Sequence, residues 1–219
     1  MLNELITKDE RDAVYKTIFS RRDVRKEFQP DPIQDTVLQR ILMAAHHAPS
    51  VGFMQPWNFI IVRNIETRKK IKEAFVLAHE KAAQLFDEEN SKKYRKLKLE
   101  GITEAPLGIC VTCDRERNGP IVIGRTSIPE TDIYSSVCAV QNLWIAARAE
   151  NLGVGWVSII DNVKLKKILG IPNHVVPVAY LCLGHVSHFQ EKPDLERTGW
   201  LPRLKMESVV YDEKWPRDT

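Results

Sequence analysis

Apolar residues recur along the chain with two periods, and the alternation between them sketches the architecture. Thr7 to about Ser20 reads as a first helix, with Thr7 as cap and Glu10 three residues on in a capping-box arrangement. Asp35 opens a second helix after the Pro30/Pro32 linker. Val37, Leu38, Ile41, Leu42 and Ala45 form its inner stripe, and it ends before Pro49. Trp57–Arg63 and Ala105–Cys113 read as strands, with a third helix from about Thr67 to Phe86 between them. Asp87–Glu100 is polar and charged, and reads as a mobile or solvent-facing segment. Asn118–Glu130 is a loop punctuated by Gly and Pro.

The longest helix is expected from Asp132 to Asn151. It is apolar nearly all round, which requires burial on most sides, in the core or against a second subunit. Gly153–Ile160 and Pro177–Gly184 read as strands flanking a short helix at Val163–Leu169. From Ser187 on, a polar tail carries Trp200 and Trp215, large aromatics with no element of their own, as if to wrap a partner subunit. The pattern is mixed helix and strand without internal repeats, and neither a GxGxxG turn nor a P-loop is present.

Composition narrows the function classes. The 219 residues suffice for one sizeable domain, and a net charge of +3 from 32 basic and 29 acidic residues is too balanced to argue for nucleic acid. No apolar run approaches the ~20 residues of a membrane span, and the first ten residues lack a signal-peptide core, so a cytoplasmic location is the expectation. Of the four cysteines, Cys110 and Cys113 have redox or zinc-like spacing. They fall on an expected strand, where positions three apart face opposite sides, so they read as two core thiols. His185 and His188 have loose metal-ligand spacing without an accompanying carboxylate motif, and no metal site is expected.

Three constellations carry candidate chemistry. In Ser20–Arg25 (SRRDVR), Arg21, Arg22 and Arg25 can grip a phosphate by forked hydrogen bonds, or simply answer the dipole of the first helix. Asp23 among them is a negative charge beside an anion site, and needs an arginine partner or a chemical task. The loop Ala48–Trp57 offers Gly52 for close approach to a flat ligand and Ser50 and Gln55 for its edge, or is a surface turn over a buried Trp57. Leu152–Ser158 is a glycine-punctuated strand start that brings Ser158 to a ligand, or a helix cap leading into a core strand.

Taken together, Arg21–Arg25, Pro49–Trp57 and Gly153–Ser158 resemble, in order, the nitroreductase-like flavoproteins. Tyr94–Gly101, Cys110–Arg115, Gly124–Thr126 and Cys138–Trp144 are similar to one branch, the 5,6-dimethylbenzimidazole synthases (BluB family), so that the resemblance runs from about Glu10 to Trp215. Asp23 stands where ordinary nitroreductases resemble Arg-Arg-Ser, and Phe53 where their loop has Asn; both agree with the synthase branch.

The resemblance implies an α+β, three-layer α/β/α fold with a mixed central sheet. It implies a single domain over 1–219, with a lid at about 87–100 and a tail at about 187–219 reaching the partner of a homodimer. It further implies flavin mononucleotide (FMN) at the subunit interface. Reduced FMN would be the substrate, broken by dioxygen into 5,6-dimethylbenzimidazole and erythrose 4-phosphate, with a separate flavin reductase as its source. Arg21, Arg22 and Arg25, helped by Arg203, would hold the phosphate end. Ser50, Gln55 and Ser158 would contact the ring or ribityl region, and the Gly52 N–H the oxygen species. Val24 and Leu99 would line the cofactor, and Asp23 and Ser158 would serve the chemistry. The competing readings are an NAD(P)H-dependent nitroreductase or flavin reductase of the same fold, and a non-catalytic FMN-binding protein.

Overall fold

The computed structural model describes residues 5–216. Residues 1–4, at the start of the segment read as lacking a signal core, and residues 217–219 of the tail lie outside the described residues. Two compact units are present, one up to Phe189 and one from Gln190.

In the first unit, four strands order as β1-β2-β4-β3: β1 (Trp57–Val62), β2 (Leu107–Asp114), β4 (Val175–Gly184) and β3 (Gly153–Val157). Every neighbouring pair is antiparallel. The expected mixed sheet is therefore antiparallel in all four strands. Among the described residues its parallel pairing is confined to a one-residue bridge of Asp23 to Val154 on the edge strand β3. That bridge matters for the site described below.

One sheet face is covered by α2 (Asp35–His46) and α5 (Thr131–Ala149), whose Leu38, Ile41, Val140 and Leu143 meet Ile109, Val111, Leu181 and Leu183. The other is covered by α3 (Ile65–Ala83) and α6 (Asn162–Leu169), with Ile71, Phe75 and Leu165 against Cys110, Tyr180 and Cys182. Three layers result, as a two-faced sheet requires. β2 is buried along nearly its whole length, so it reads as a continuous apolar run rather than an alternating one. Cys110 and Cys113 do face opposite layers: Cys110 joins the α3 side, while the Cys113 thiol meets Ser136 of α5. Burial pushes the Cys110 thiol up to about 12.

α1 (Lys8–Ser20) is closed at its start by the expected box, in which Thr7 Oγ1 accepts from Glu10 N–H and Glu10 accepts from Thr7 N–H. It buries none of its side chains in this chain, and Val14, Tyr15, Ile18 and Phe19 stay exposed. Between α1 and α5 lies an open apolar groove of about 590 Å³, lined by Val14, Ile18, Ile145 and Ala149 among others.

The 87–100 segment contains a helix, α4 (Glu88–Arg95), where the charge pattern suggested none. Asp87 caps it, Glu88–Lys92 and Glu89–Lys93 pair along one face, and Arg95 bridges to Glu80 of α3 at 2.7 Å. Its one large inward side chain, Tyr94, stacks on His79 with ring centroids 4.6 Å apart. The second unit holds α7 (Asp194–Arg197) and one 3-10 turn at Met206–Ser208, with Arg203 exposed on an apolar hollow lined by Pro193, Leu195 and Leu204.

Candidate active site

The arginine segment leaves α1 and lies along the edge of β3. Val24 donates its N–H to Val154 O at 2.9 Å, and a Cβ on Gly155 would stand 2.1 Å from Val24 O. The glycine spacing of β3 thus admits a second backbone against the strand. The Val24 N–H is spent on this bridge, so Val24 acts through packing.

Asp23 is clamped from two sides. Oδ1 accepts from Trp156 N–H at 3.0 Å, and Oδ2 pairs with Arg25 Nη2 at 2.5 Å. The carboxylate has the arginine partner that its position demanded, and it is fixed to the strand that leads two residues on to Ser158. Ser158 is exposed just beyond β3 and shares a small hollow of about 180 Å³ with Trp156, Asn162 and Tyr180.

The three arginines have separate local engagements. Arg21 lays its guanidinium over the Trp144 ring, 4.7 Å from the centroid. Arg22 donates to Phe19 O and Arg21 O, answering the carbonyls at the end of α1. Arg25 takes the ion pair with Asp23. The helix-dipole reading therefore holds for Arg22, side by side with any ligand role. Trp144 supports the whole turn: its Nε1 donates to Arg22 O at 3.3 Å and its ring meets that of Trp156 at 6.4 Å. The helical periodicity marked Trp144 as core, and gave no signal of this second duty.

Among the described residues, the buried Ser20 Oγ and Arg25 Nε find no hydrogen-bond partner. Buried donors are normally satisfied, so a bound anion with several acceptor oxygens fits here. The end of the 87–100 segment reaches the same place. A Cβ on Gly101 would lie 2.5 Å from Arg25 O and 2.7 Å from the Phe28 ring. Leu99, two residues earlier, packs on the α3-side core. Lys98 ties this stretch down through Glu100 and Glu104, at 2.5 Å each.

The loop 50–55 is held partly by its own polar groups and partly by its neighbours. Ser50 Oγ accepts from Gln55 N–H, and the buried Ser135 of α5 accepts from Val51 N–H, both at 3.1 Å. The Ser50 hydroxyl thus also shapes the loop. Gly52 has φ +58°, and a Cβ there would meet Val122 Cγ1 at 2.6 Å, so glycine is required twice over. Phe53, in the place of the family's Asn, is exposed. Arg203 lies in the second unit. Among the described residues no group of three or more His, Cys, Asp or Glu side chains could hold a metal ion, and no helix is long and apolar enough to cross a membrane.

A three-layer α/β/α unit with an arginine segment bridged to an edge strand and a glycine-dependent loop beside α5 sets the frame of the site. The chain belongs to the nitroreductase family, which residues 18–185 match. Within it, the chain is 43% identical over 183 residues to a 5,6-dimethylbenzimidazole synthase of Rhodospirillum rubrum, covering 84% of this chain and 86% of that protein. It is 38% identical over 197 residues to a 5,6-dimethylbenzimidazole synthase of Rhodobacter capsulatus, covering 90% and 95%. In fold it is similar to oxidised iodotyrosine deiodinase bound to FMN and 3-iodo-L-tyrosine, with TM-score 0.72, 18% identity, and coverage of 92% and 99%.

Proposed function

We propose that this chain makes 5,6-dimethylbenzimidazole, the lower ligand of cobalamin, from reduced FMN and dioxygen, with erythrose 4-phosphate as the second fragment. The observation that carries the reading is the similarity to named synthases along nearly the full length of both chains. The carboxylate at Asp23, which the arginine segment holds against β3, supports it. FMN serves here as substrate, and its ring and ribityl chain supply the atoms of the product.

The residues divide the work as follows. Arg21, Arg22 and Arg25 hold the phosphate end, and the buried Arg25 Nε and Ser20 Oγ are donors that a phosphate oxygen would satisfy. The 50–55 loop presents Gln55 and the backbone of Gly52 to the ring, with the Gly52 N–H toward the dioxygen side, and Ser50 keeps that loop in shape. Val24 and Leu99 supply apolar contact. The 87–100 segment acts as a lid that excludes water and nicotinamide, anchored on α3 by the Arg95–Glu80 pair and the Tyr94–His79 stack. Asp23 takes the proton from the ribityl carbon that enters the new ring, and Ser158 orients or relays at the same end of β3.

The active form is a homodimer. α1 buries nothing in its own chain, the α1/α5 groove is apolar and open, and Tyr134 and Val137 of α5 are exposed. A second copy would cover these faces, as obligate interfaces resemble a core cut in half. A separate flavin reductase supplies reduced FMN, and the location is cytoplasmic, where four free thiols persist. To test the reading, the protein is given either NAD(P)H with oxidised FMN, or reduced FMN in air. Loss of flavin only in the second case is the expected result. Nicotinamide oxidation with the flavin intact would assign a reductase or nitroreductase instead.

A further inference from the structure

The loop that faces the proposed flavin ring does not hold its shape unaided. Three residues in a stretch of four have left-handed backbone: Gly52 at φ +58°, Phe53 at +51° and Gln55 at +44°. Only the glycine adopts this without penalty, so the surroundings must impose it on Phe53 and Gln55. Besides the Ser50 and Ser135 contacts, one short segment grips the carbonyls that follow. Met54 O accepts from Asn118 Nδ2 at 2.8 Å, and Pro56 O from Asp114 N–H at 2.8 Å. Arg117 Nη1 donates to Gln55 O at 2.7 Å and to Trp57 O at 2.9 Å, while its Nη2 reaches Asn58 Oδ1 at 2.5 Å. Four successive carbonyls, 54 to 57, are thus held by residues 114–118, and one guanidinium serves two of them. Asp114, 3.7 Å away, keeps that guanidinium in place.

We propose that Arg117 is a positioning residue for the flavin ring: by gripping the Gln55 and Trp57 carbonyls it fixes the left-handed turn that aims the Gln55 amide and the Gly52 backbone at the ligand. The inference rests on the proposed FMN site. A planar fork suits several acceptors at once, which a lysine ammonium at the end of a flexible stem does not reproduce. Because the loop is assigned to the ring and the Ser20–Arg25 segment to the phosphate, disturbing Arg117 must affect FMN and riboflavin alike.

The test uses the full chain with Arg117→Lys and Arg117→Met, and Asn118→Gly as a milder variant that removes the Met54 contact while keeping the left-handed backbone at 118, φ +64°. Binding of oxidised FMN and of riboflavin is titrated, the visible circular dichroism of the bound flavin is recorded, and dimethylbenzimidazole formed per FMN consumed is measured. Both Arg117 variants should bind FMN and riboflavin about tenfold more weakly, by the same factor for each. Their flavin dichroism should change, and their product yield should fall. Asn118→Gly should move the same way by a smaller factor, which keeps the test open if an Arg117 variant does not fold. Flavin affinities, dichroism and yield within twofold of wild type would overturn the inference, as would a loss confined to FMN. If wild type itself neither binds nor consumes FMN, the underlying site reading fails instead.

Discussion

Replacing Asp23 by Asn separates chemistry from architecture, and the structure sets the scale of each. Asn keeps an oxygen for the Trp156 N–H bond but turns the partner of Arg25 from a carboxylate into a neutral amide. The pair is partly exposed, 12% for Arg25 and 31% for Asp23, so solvent screening reduces its worth. A charge-assisted contact of this kind contributes about 1–2 kcal/mol, and for a chain of this size that lowers Tm by roughly 3–6 °C. FMN affinity moves the other way or stays level, because a negative charge near the phosphate is removed and the Arg25 guanidinium is released toward it. Loss of a general base costs about 10²–10⁴-fold in rate. The variant should therefore fold, bind FMN at least as tightly as wild type, and return oxidised FMN from reduced FMN in air, with dimethylbenzimidazole formation down at least about a hundredfold. Thermal melts, FMN titration and chromatographic product analysis read the three quantities separately. Product formation within about twofold of wild type would reduce Asp23 to a partner for Arg25. Loss of FMN binding would make it a builder of the phosphate site, and the base would lie elsewhere.

Further predictions address the other parts of the account. Arg22→Ala should weaken FMN about tenfold and leave riboflavin unchanged in direct titrations, with a small drop in Tm because Arg22 also caps α1. Ser158→Ala should retain the fold and most FMN affinity but depress dimethylbenzimidazole formation; a wild-type rate would remove Ser158 from the chemistry. Sedimentation at low micromolar concentration should give a dimer throughout, and a stable FMN-binding monomer would refute the role assigned to the α1/α5 groove. In the native protein, thiol titration at mildly alkaline pH should label no more than one cysteine promptly, the partly exposed Cys138. Cys110 and Cys182 are held protonated by burial, and prompt reaction of either would contradict the core placement.

Much of this arrangement was legible in the chain because it follows from local rules. The Thr7–Glu10 box, the alternation of strands with helices and the opposite facing of Cys110 and Cys113 needed only period and capping chemistry. α4 was hidden because its sole large apolar contact is Tyr94, and a helix held by i,i+4 charges shows no apolar stripe. The parallel contact of Asp23 with Val154 was hidden because a single-residue bridge has no pattern of its own. The arginine motif suggested either an anion site or an answer to the α1 dipole, yet gave no sign that Arg21 stacks on Trp144 or that Arg22 caps α1. Arg117 and Asn118 escaped notice for a general reason. Their partners are backbone carbonyls, which every residue carries, so the sequence around 114–118 holds no sign of the loop it grips.

The central claim is that the protein consumes its flavin, and a single-turnover reaction tests it most directly. Enzyme and an equal amount of reduced FMN, mixed without oxygen, are exposed to air-saturated buffer, and flavin and 5,6-dimethylbenzimidazole are quantified together. The account predicts that oxidised FMN does not return and that dimethylbenzimidazole appears mole for mole with the flavin lost. Full recovery of oxidised FMN without dimethylbenzimidazole would contradict it.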